Sequence, residues 1–260
     1  MKIGVINSDS RQKAIAEQLQ SYGIEVYRIE SEEDLRQYDV LVLPIKGCNE
    51  RYEVSLHTGT LQLDQYFKQY PDIRIFTGIP NRYLDTLAVP VIYLMEIEEV
   101  VLQNAVLTAQ GVLAEVIRYM DIPLRQLEVD IIGYGRCGKE IVELLSPITS
   151  CIRVIVKENR VSEIRTNIAN EVLSYEQWCD MTPSMLIINT APSKVITQEI
   201  MQRWHTSPII LDIASSPGGV DYPYAISQNI QAILLPSLPS IYSPISAGKI
   251  LADAIYKELL

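Results

Sequence analysis

VDIIGYGRCGKEIVELL, Val129–Leu145, is the stretch whose reading decides the fold. Val129, Ile131 and Ile132 make a short apolar run, broken only by Asp130, that ends at Gly133. Gly135 and Gly138 complete a G-x-G-x-x-G spacing, and Ile141, Leu144 and Leu145 then recur as they would on one face of a helix. Each glycine has a physical reason in a strand–turn–helix. Gly133 permits the tight turn, Gly135 lets a pyrophosphate approach the backbone with no Cβ in the way, and Gly138 lets helix and strand pack closely. The helix start adds N–H groups and the positive end of a dipole. Three glycines alone are a weak pattern, because turns collect glycine. The flanking strand and helix turn it into a dinucleotide-binding signal. Gly133, Gly135, Arg136, Cys137 and Gly138 are the cofactor-binding candidates of this turn.

Outward from this stretch, strands and helices alternate in both directions. Toward the N-terminus, strands are expected at residues 2–6, 24–29, 40–44, 73–77 and 89–94, with helices at 11–19 and 61–70. Asp9 or Ser10 is placed to cap the first helix. Residues 46–60 form a polar loop past a strand end. Residues 104–120 are a long helical pattern, closed by Ile122-Pro123. Toward the C-terminus, strands are expected at 128–132, 152–156, 185–189, 209–213 and 232–235, with a last helix at 243–260. Such alternation predicts an α/β fold of two Rossmann-like parallel-sheet domains, the second binding a nicotinamide dinucleotide. The expected boundaries are a flavodoxin-like, substrate-side domain over residues 1–103 and a bridging helix over 104–125. The dinucleotide domain follows over 126–242, and a C-terminal helix, 243–260, is placed to return to the first domain.

Composition narrows the classes. The 260 residues are 48% hydrophobic and 21% charged, ordinary for a globular chain with a real core. A net charge of −10 opposes nonspecific nucleic-acid binding, since phosphates are repelled before any specific contact forms. The run MKIGVINSDS is too short in apolar residues for a signal peptide, and no segment reads as long enough to span a bilayer. Cys48, Cys137, Cys151 and Cys179 form no C-x-x-C pair, as suits thiols in a reducing cytoplasm. His57 and His205 lack ligand spacing, so no metal site is expected.

The residue after the second strand of a Rossmann domain meets the adenosine ribose, an acid favouring NAD and a base NADP. Here Lys157, Glu158, Asn159 and Arg160 stand at that point, and on residues alone both cofactors stay open. Two further loops fall at strand ends on the cofactor edge: Asn189-Thr190-Ala191-Pro192, and Asp212 to Gly219 with Ala214. Ser215, Ser216, Gly218 and Gly219 offer hydroxyls and backbone N–H groups to a substrate carboxylate. The first domain offers Lys46, Asn49, Gly78, Asn81 and Arg82, with Asn81 a substrate-binding candidate. Asn104 and Thr108 lie one helical turn apart on the bridging helix, facing an expected cleft between domains as catalytic candidates. No Ser–His–Asp set can be built.

Several segments together resemble the dipicolinate synthase A-subunit family of spore-forming bacteria. They are DSRQ at 9–12, GIPNRYL at 78–84, Asn104 with Thr108 and Gly111, the glycine turn, INTAPS at 188–193, LDIASSPGGVD at 211–221 and LPSLPSIYSPISAGKIL at 235–251. The A-S-x-P-G-G-x-D and L-P…P…A-G pieces are specific. This resemblance implies NADP-linked oxidation of a dihydrodipicolinate-level precursor to pyridine-2,6-dicarboxylate in the mother-cell cytoplasm during sporulation. It also implies partnership with a flavoprotein B subunit. A homo-oligomer is expected. Lys157 occupies the position of the family's basic residue, which favours NADP over NAD. The chain departs from the family at Asn7-Ser8, Leu107, Ser237 and Ser240, and at Gln110, where a glutamate is usual. An amide cannot accept a proton as a carboxylate can, which makes Gln110 a catalytic position to test. Two other readings are a nucleotide-binding, non-catalytic partner and a dehydrogenase of another small acid.

Overall fold

The computed structural model describes residues 1–56, 59–164 and 169–260. His57 lies outside them. The chain divides into two compact units: Met1–Asn104 with Ser243–Leu260, and Ala105–Tyr242. In chain order the first unit holds β1 (Lys2–Ile6), α1 (Ser10–Ser21), β2 (Glu25–Ile29), β3 (Val40–Val42), β4 (Glu53–Leu56), β5 (Gly59–Gln62), α2 (Asp64–Gln69), β6 (Arg74–Thr77) and β7 (Val91–Tyr93). Helix α3 (Glu98–Tyr119) begins in this unit and ends in the next. The second unit continues with β8 (Glu128–Ile132), α4 (Arg136–Leu145), β9 (Cys151–Val156), α5 (Glu158–Val161), β10 (Glu171–Ser174) and α6 (Tyr175–Cys179). Then come β11 (Leu186–Asn189), α7 (Gln198–Met201), β12 (Ile209–Asp212), α8 (Tyr222–Ser227), β13 (Ala232–Leu234) and α9 (Leu238–Tyr242). The last helix, α10 (Pro244–Leu259), belongs to the first unit.

Both large sheets are parallel. The first runs β2-β1-β3-β6-β7, the doubly wound flavodoxin-like order, and its strand order reverses between β1 and β3. The second runs β10-β9-β8-β11-β12-β13, the Rossmann order, and reverses between β8 and β11. Strands buried on both faces need apolar side chains on both, which is why VLV in β3 and LIIN in β11 read as continuous runs. In the first unit Ile3, Val5, Val40, Val42 and Phe76 pack against α1 and against Leu251, Ala252, Ala254 and Ile255 of α10. In the second, Val129, Ile131, Val154 and Ile188 pack against Ile141, Val142 and Leu145 of α4 and Val112 and Val116 of α3.

Asp130, the break in the apolar run, is fully buried, and three neighbouring residues satisfy its carboxylate. Arg153 Nε and Nη2 donate to it at 2.7 and 3.0 Å. Trp178 Nε1 donates at 2.7 Å, and Ser184 donates through its hydroxyl and its backbone N–H at 2.8 and 3.0 Å. A buried charge persists only when it is paired and hydrogen-bonded throughout, as here.

The structure corrects the sequence reading in several places. The loop expected over 46–60 contains an antiparallel hairpin, β4 with β5, whose facing Val54 and Leu61 are both buried. Those two residues form an inward cross-strand pair that the surrounding polar residues mask. The helix expected from Leu61 accordingly starts at Asp64. Strand β10, a four-residue edge strand, carries too few residues for period-two alternation to register. The bridging helix begins at Glu98, where Glu98 and Glu99 suit the positive helix end. At 22 residues α3 is also long and apolar enough to cross a bilayer, contrary to the expectation that no segment is. Half of its most apolar stretch is buried inside the protein.

Candidate functional site

The glycine turn joins β8 to α4 beside the point where the second sheet's strand order reverses. Gly133 has φ +93° and donates its N–H to Ile155 O at 2.8 Å, and a Cβ there would come within 2.4 Å of Thr190 Oγ1. A Cβ on Gly138 would lie 2.3 Å from Gly133 O. The first and third glycines are therefore demanded by the fold itself. Gly135 is different: it is the N-cap of α4, in extended conformation, and a Cβ on it would meet nothing within 4 Å. The first turn of α4 carries no acid, and no side chain caps it. The turn thus presents open space over an uncapped, positive helix end, which is what a pyrophosphate needs.

Around this turn the candidates separate. Thr108 is buried and its hydroxyl bonds the Cys137 thiol in the first turn of α4. Burial pushes that thiol's pKa up, against the Thr108 hydrogen bond. Asn104 is half-buried and shares a helical face with Thr108. Gln110, two positions beyond Thr108, projects elsewhere: it is exposed and lines a shallow groove with Val106, Ala109, Glu140, Glu143 and Leu144. The structure does not group it with Asn104 and Thr108. Helical geometry explains this, since residues two apart point to different sides.

At the ribose end, β9 lies beside β8 with Ile155 opposite Ile132. Lys157 directly follows β9, exposed, as the N-cap of the short helix α5. Glu158 and Arg160 are exposed on that helix, and Arg160 Nε is 3.8 Å from Glu163 Oε2.

The loops after β11 and β12 are more self-contained than expected. Thr190 donates its N–H and its hydroxyl to Ile132 O, at 2.8 and 2.9 Å, which ties this loop to the glycine turn. Asn189 is fully buried. Its amide donates to Ala191 O and Asp212 Oδ1 at 3.2 and 2.9 Å, and its Oδ1 accepts from Ala191 N at 3.1 Å. Asp212, also fully buried, accepts in addition from Ala214 N, Gly219 N and the Tyr222 hydroxyl, at 3.0, 2.7 and 2.7 Å. Burial and the Asp212 carboxylate push the Tyr222 phenol far above its ordinary range. Asn189 and Asp212 therefore position the two loops, the Asp212 carboxylate and the Asn189 amide N–H groups being fully used within them.

The same holds for the glycines after Ser216. Gly218 N donates to Ser215 O at 2.9 Å and Gly219 N to Asp212, so neither N–H is available to a carboxylate. What this edge leaves accessible is Ser215 and Ser216, both exposed, with Pro192 exposed and Ala191 and Ala214 buried behind. In the first unit Asn81 is likewise saturated. Its amide donates to Lys46 O and Cys48 O, both at 2.8 Å, and its Oδ1 accepts from Tyr83 N and Leu84 N at 3.0 and 3.2 Å. Asn81 shapes its loop. Gly78 lies against Ile45, Asn49 is engaged with Glu53, and Arg82 stacks on Tyr83, its Cζ 4.7 Å from the ring centroid. Tyr222, unseen in the sequence, completes the Asp212 cluster; its only sequence signal is its place next to Asp221, the N-cap of α8.

No family model matches the chain. It is 27% identical over 287 aligned positions to the A subunit of dipicolinate synthase from Bacillus subtilis (strain 168), covering 100% of this chain and 96% of that protein. The crystal structure of the corresponding protein from Bacillus halodurans superposes with a TM-score of 0.88 at 25% identity, covering 99% of this chain and 97% of the other. An NAD-dependent formate dehydrogenase from Staphylococcus aureus, solved in complex with NAD, shares the fold at 12% identity. Its TM-score is 0.61, over 100% of this chain and 94% of that one. With two parallel sheets arranged as in the NAD-dependent dehydrogenases, the chain is along its whole length a homologue of the A subunit of dipicolinate synthase.

Proposed function

We propose that this chain is an NADP-linked oxidoreductase that oxidises a dihydrodipicolinate-level precursor to pyridine-2,6-dicarboxylate during sporulation. The open space over Gly135, at an uncapped helix end in a Rossmann-ordered sheet, is the observation that carries it. Homology to the Bacillus subtilis protein supports the substrate. Gly133, Gly135, Arg136 and Gly138 would hold the pyrophosphate, and Lys157 the 2′-phosphate. Thr190, Ala191, Pro192 and Ala214 border the nicotinamide half, and Ser215 and Ser216 offer hydroxyls to a substrate carboxylate. A bound nicotinamide would supply a hydride acceptor for the ring, the matching proton being lost to solvent, and aromatisation would favour the change. Thr108 positions the first turn of α4 through Cys137. Homology also supports partnership with a flavoprotein B subunit. We assign the work to the mother-cell cytoplasm, with the chain as a homo-oligomer.

The test is incubation with dihydrodipicolinate and either NADP or NAD, with and without the B subunit, following reduced cofactor by absorbance. Reduction of NADP is expected. Tight cofactor binding with no reduction in any arm would instead favour a nucleotide-binding, non-catalytic partner. One observation favours that second reading: Asn104, Thr108 and Gln110 carry no group that titrates near neutral pH.

A further inference from the structure

The junction of β1 and α1 carries polar atoms that the fold does not use. Among the described residues, five buried side-chain nitrogen or oxygen atoms lack a hydrogen-bond partner. Three of them, Ser8 Oγ, Arg11 Nε and Gln12 Oε1, fall within residues 8–12, while Glu115 Oε2 and Trp204 Nε1 stand alone. A buried polar atom left unpaired is costly, and three from one turn of chain mark a place where the fold gives up stability. That place is the strand-order reversal of the first sheet, between β1 and β3, where open α/β sheets take ligands.

Gln12 is 2% exposed, and its Nε2 donates to Leu43 O at 3.0 Å, just past β3. The amide is thereby fixed across the crevice, with its acceptor end unanswered. The helix end itself is already neutralised, because Asp9 accepts from Arg11 N, Gln12 N and Arg11 Nη2 at 2.8, 3.1 and 2.9 Å. In this α1 is the opposite of α4. A bare phosphate would answer Arg11 and Ser8 but would face the Asp9 carboxylate and the Gln12 carbonyl. A small acid bearing an N–H or O–H beside its carboxylate answers all three: the carboxylate takes Arg11 Nε and the Ser8 hydroxyl, and the adjacent donor takes Gln12 Oε1. Arg11 keeps 18% of its side chain at the surface, and its rotation gives such a molecule access.

We propose that the β1–α1 junction of the first unit, through Ser8, Arg11 and Gln12, binds the carboxylate of a small acid that carries a hydrogen-bond donor on the neighbouring atom. It rests on the function proposed above only for the ring: a cyclic 2,6-dicarboxylate whose ring nitrogen bears hydrogen. The junction therefore distinguishes a ring whose nitrogen bears hydrogen from the aromatic product, whose nitrogen is an acceptor.

Calorimetric titration of the full chain with NADPH present tests this. The probes are piperidine-2,6-dicarboxylate, pyridine-2,6-dicarboxylate, L-lactate and inorganic phosphate. The donor-bearing piperidine acid is expected to bind more tightly than the pyridine acid. Ser8→Ala and Arg11→Lys should each weaken it by about tenfold or more, the loss of one hydrogen bond to a charged group. Neither should alter NADPH affinity. Because the Ser8 hydroxyl makes no bond in the fold, Ser8→Ala should leave the thermal midpoint unchanged or higher, which a purely structural serine would not. Binding of L-lactate alone, sensitive to both substitutions, would support the subsite while removing the cyclic dicarboxylate. Failure of every acid to bind, binding indifferent to both substitutions, or phosphate binding as tightly as the acids would overturn it.

Discussion

Two glycines of one motif should respond oppositely to a side chain. Gly138 packs so closely that a Cβ would sit 2.3 Å from Gly133 O, a backbone atom that cannot yield as a flexible side chain could. Overpacking of that kind costs roughly 1–3 kcal/mol, so Gly138→Ala should lower the thermal midpoint by roughly 2–12 °C. Gly135 has φ −86° and ψ −159°, a conformation that β-branched residues favour, and open space where the Cβ would go. For Gly135→Val, the poorer N-cap and the stiffer unfolded chain oppose each other, each by about 1 kcal/mol or less. The midpoint should therefore hardly move. Binding should collapse, because the valine fills the space a pyrophosphate needs. Losing two charge-assisted hydrogen bonds at about 1.5–3 kcal/mol each corresponds to roughly a hundredfold or more in affinity. Thermal melts and NADPH fluorescence titrations on both variants check this. A folded Gly135→Val that binds NADPH as well as wild type would put the dinucleotide elsewhere, and an unchanged melt for Gly138→Ala would refute the packing argument.

Cofactor choice is expected to follow Lys157: NADPH should bind more tightly than NADH, Lys157→Ala should remove most of that difference, and Glu158→Ala should widen it. Tighter NADH binding that vanishes in Glu158→Ala would mean the carboxylate, not the ammonium, meets the ribose. Gln110→Glu places an acid beside Glu140 and Glu143, away from the Thr108 face, so turnover in the cofactor-reduction assay should stay near wild type; a clear rise in kcat would place Gln110 in the catalytic group. For Asp9, burial pushes the carboxyl pKa up, but the hydrogen bonds and charge of Arg11 and the Gln12 N–H outweigh it and hold it below the ordinary 3.8. A depressed carboxyl pKa stabilises the fold above its ordinary value and stops doing so as pH falls through the lowered one. Asp9→Asn keeps the cap and loses the charge, so it should be less stable than wild type by about 1 kcal/mol or less at neutral pH, the half-exposed pair being screened. Denaturant melts of the two proteins should converge well below the ordinary pKa of 3.8; curves that stay parallel into acid would argue against the ion pair.

The glycine turn and the alternation of strands with helices were legible because their signals are local. Gly133, Gly135 and Gly138 stand at fixed spacing, and Val129–Ile132 and Ile141–Leu145 carry their own periodicity. Less could be read of the loops after β11 and β12. Their hydrogen bonds close between Asn189 and Asp212, 23 positions apart, and between Asp212 and Tyr222. No spacing rule announces that Asp212 will spend its whole carboxylate inside the protein, so the sequence offers Asn189, Asp212, Gly218 and Gly219 as ligand contacts without showing the bonds by which they hold their loops. The same is true of Asn81. Gln110 stands close to Thr108 in sequence, yet two positions along a helix suffice to turn its side chain from the Thr108 face. Arg11 and Gln12 belong to the D-S-R-Q motif and Ser8 to a departure from the family pattern, but only the tertiary accounting of their hydrogen bonds reveals that each keeps an unanswered atom.

The second unit is one unbroken length of chain, Ala105–Tyr242, whereas the first is split between Met1–Asn104 and Ser243–Leu260. This inverts the usual order of biosynthesis, in which the N-terminal domain folds first as it leaves the ribosome. Here the first hundred residues emerge without α10, whose Leu251, Ala252, Ala254 and Ile255 complete their core. Gly248 lies so near α1 that a Cβ on it would be 2.5 Å from Arg11 O, so α10 closes against that helix without room for a side chain there. The second unit can thus close on one contiguous segment, whereas the N-terminal sheet keeps one face uncovered until α10 has been made.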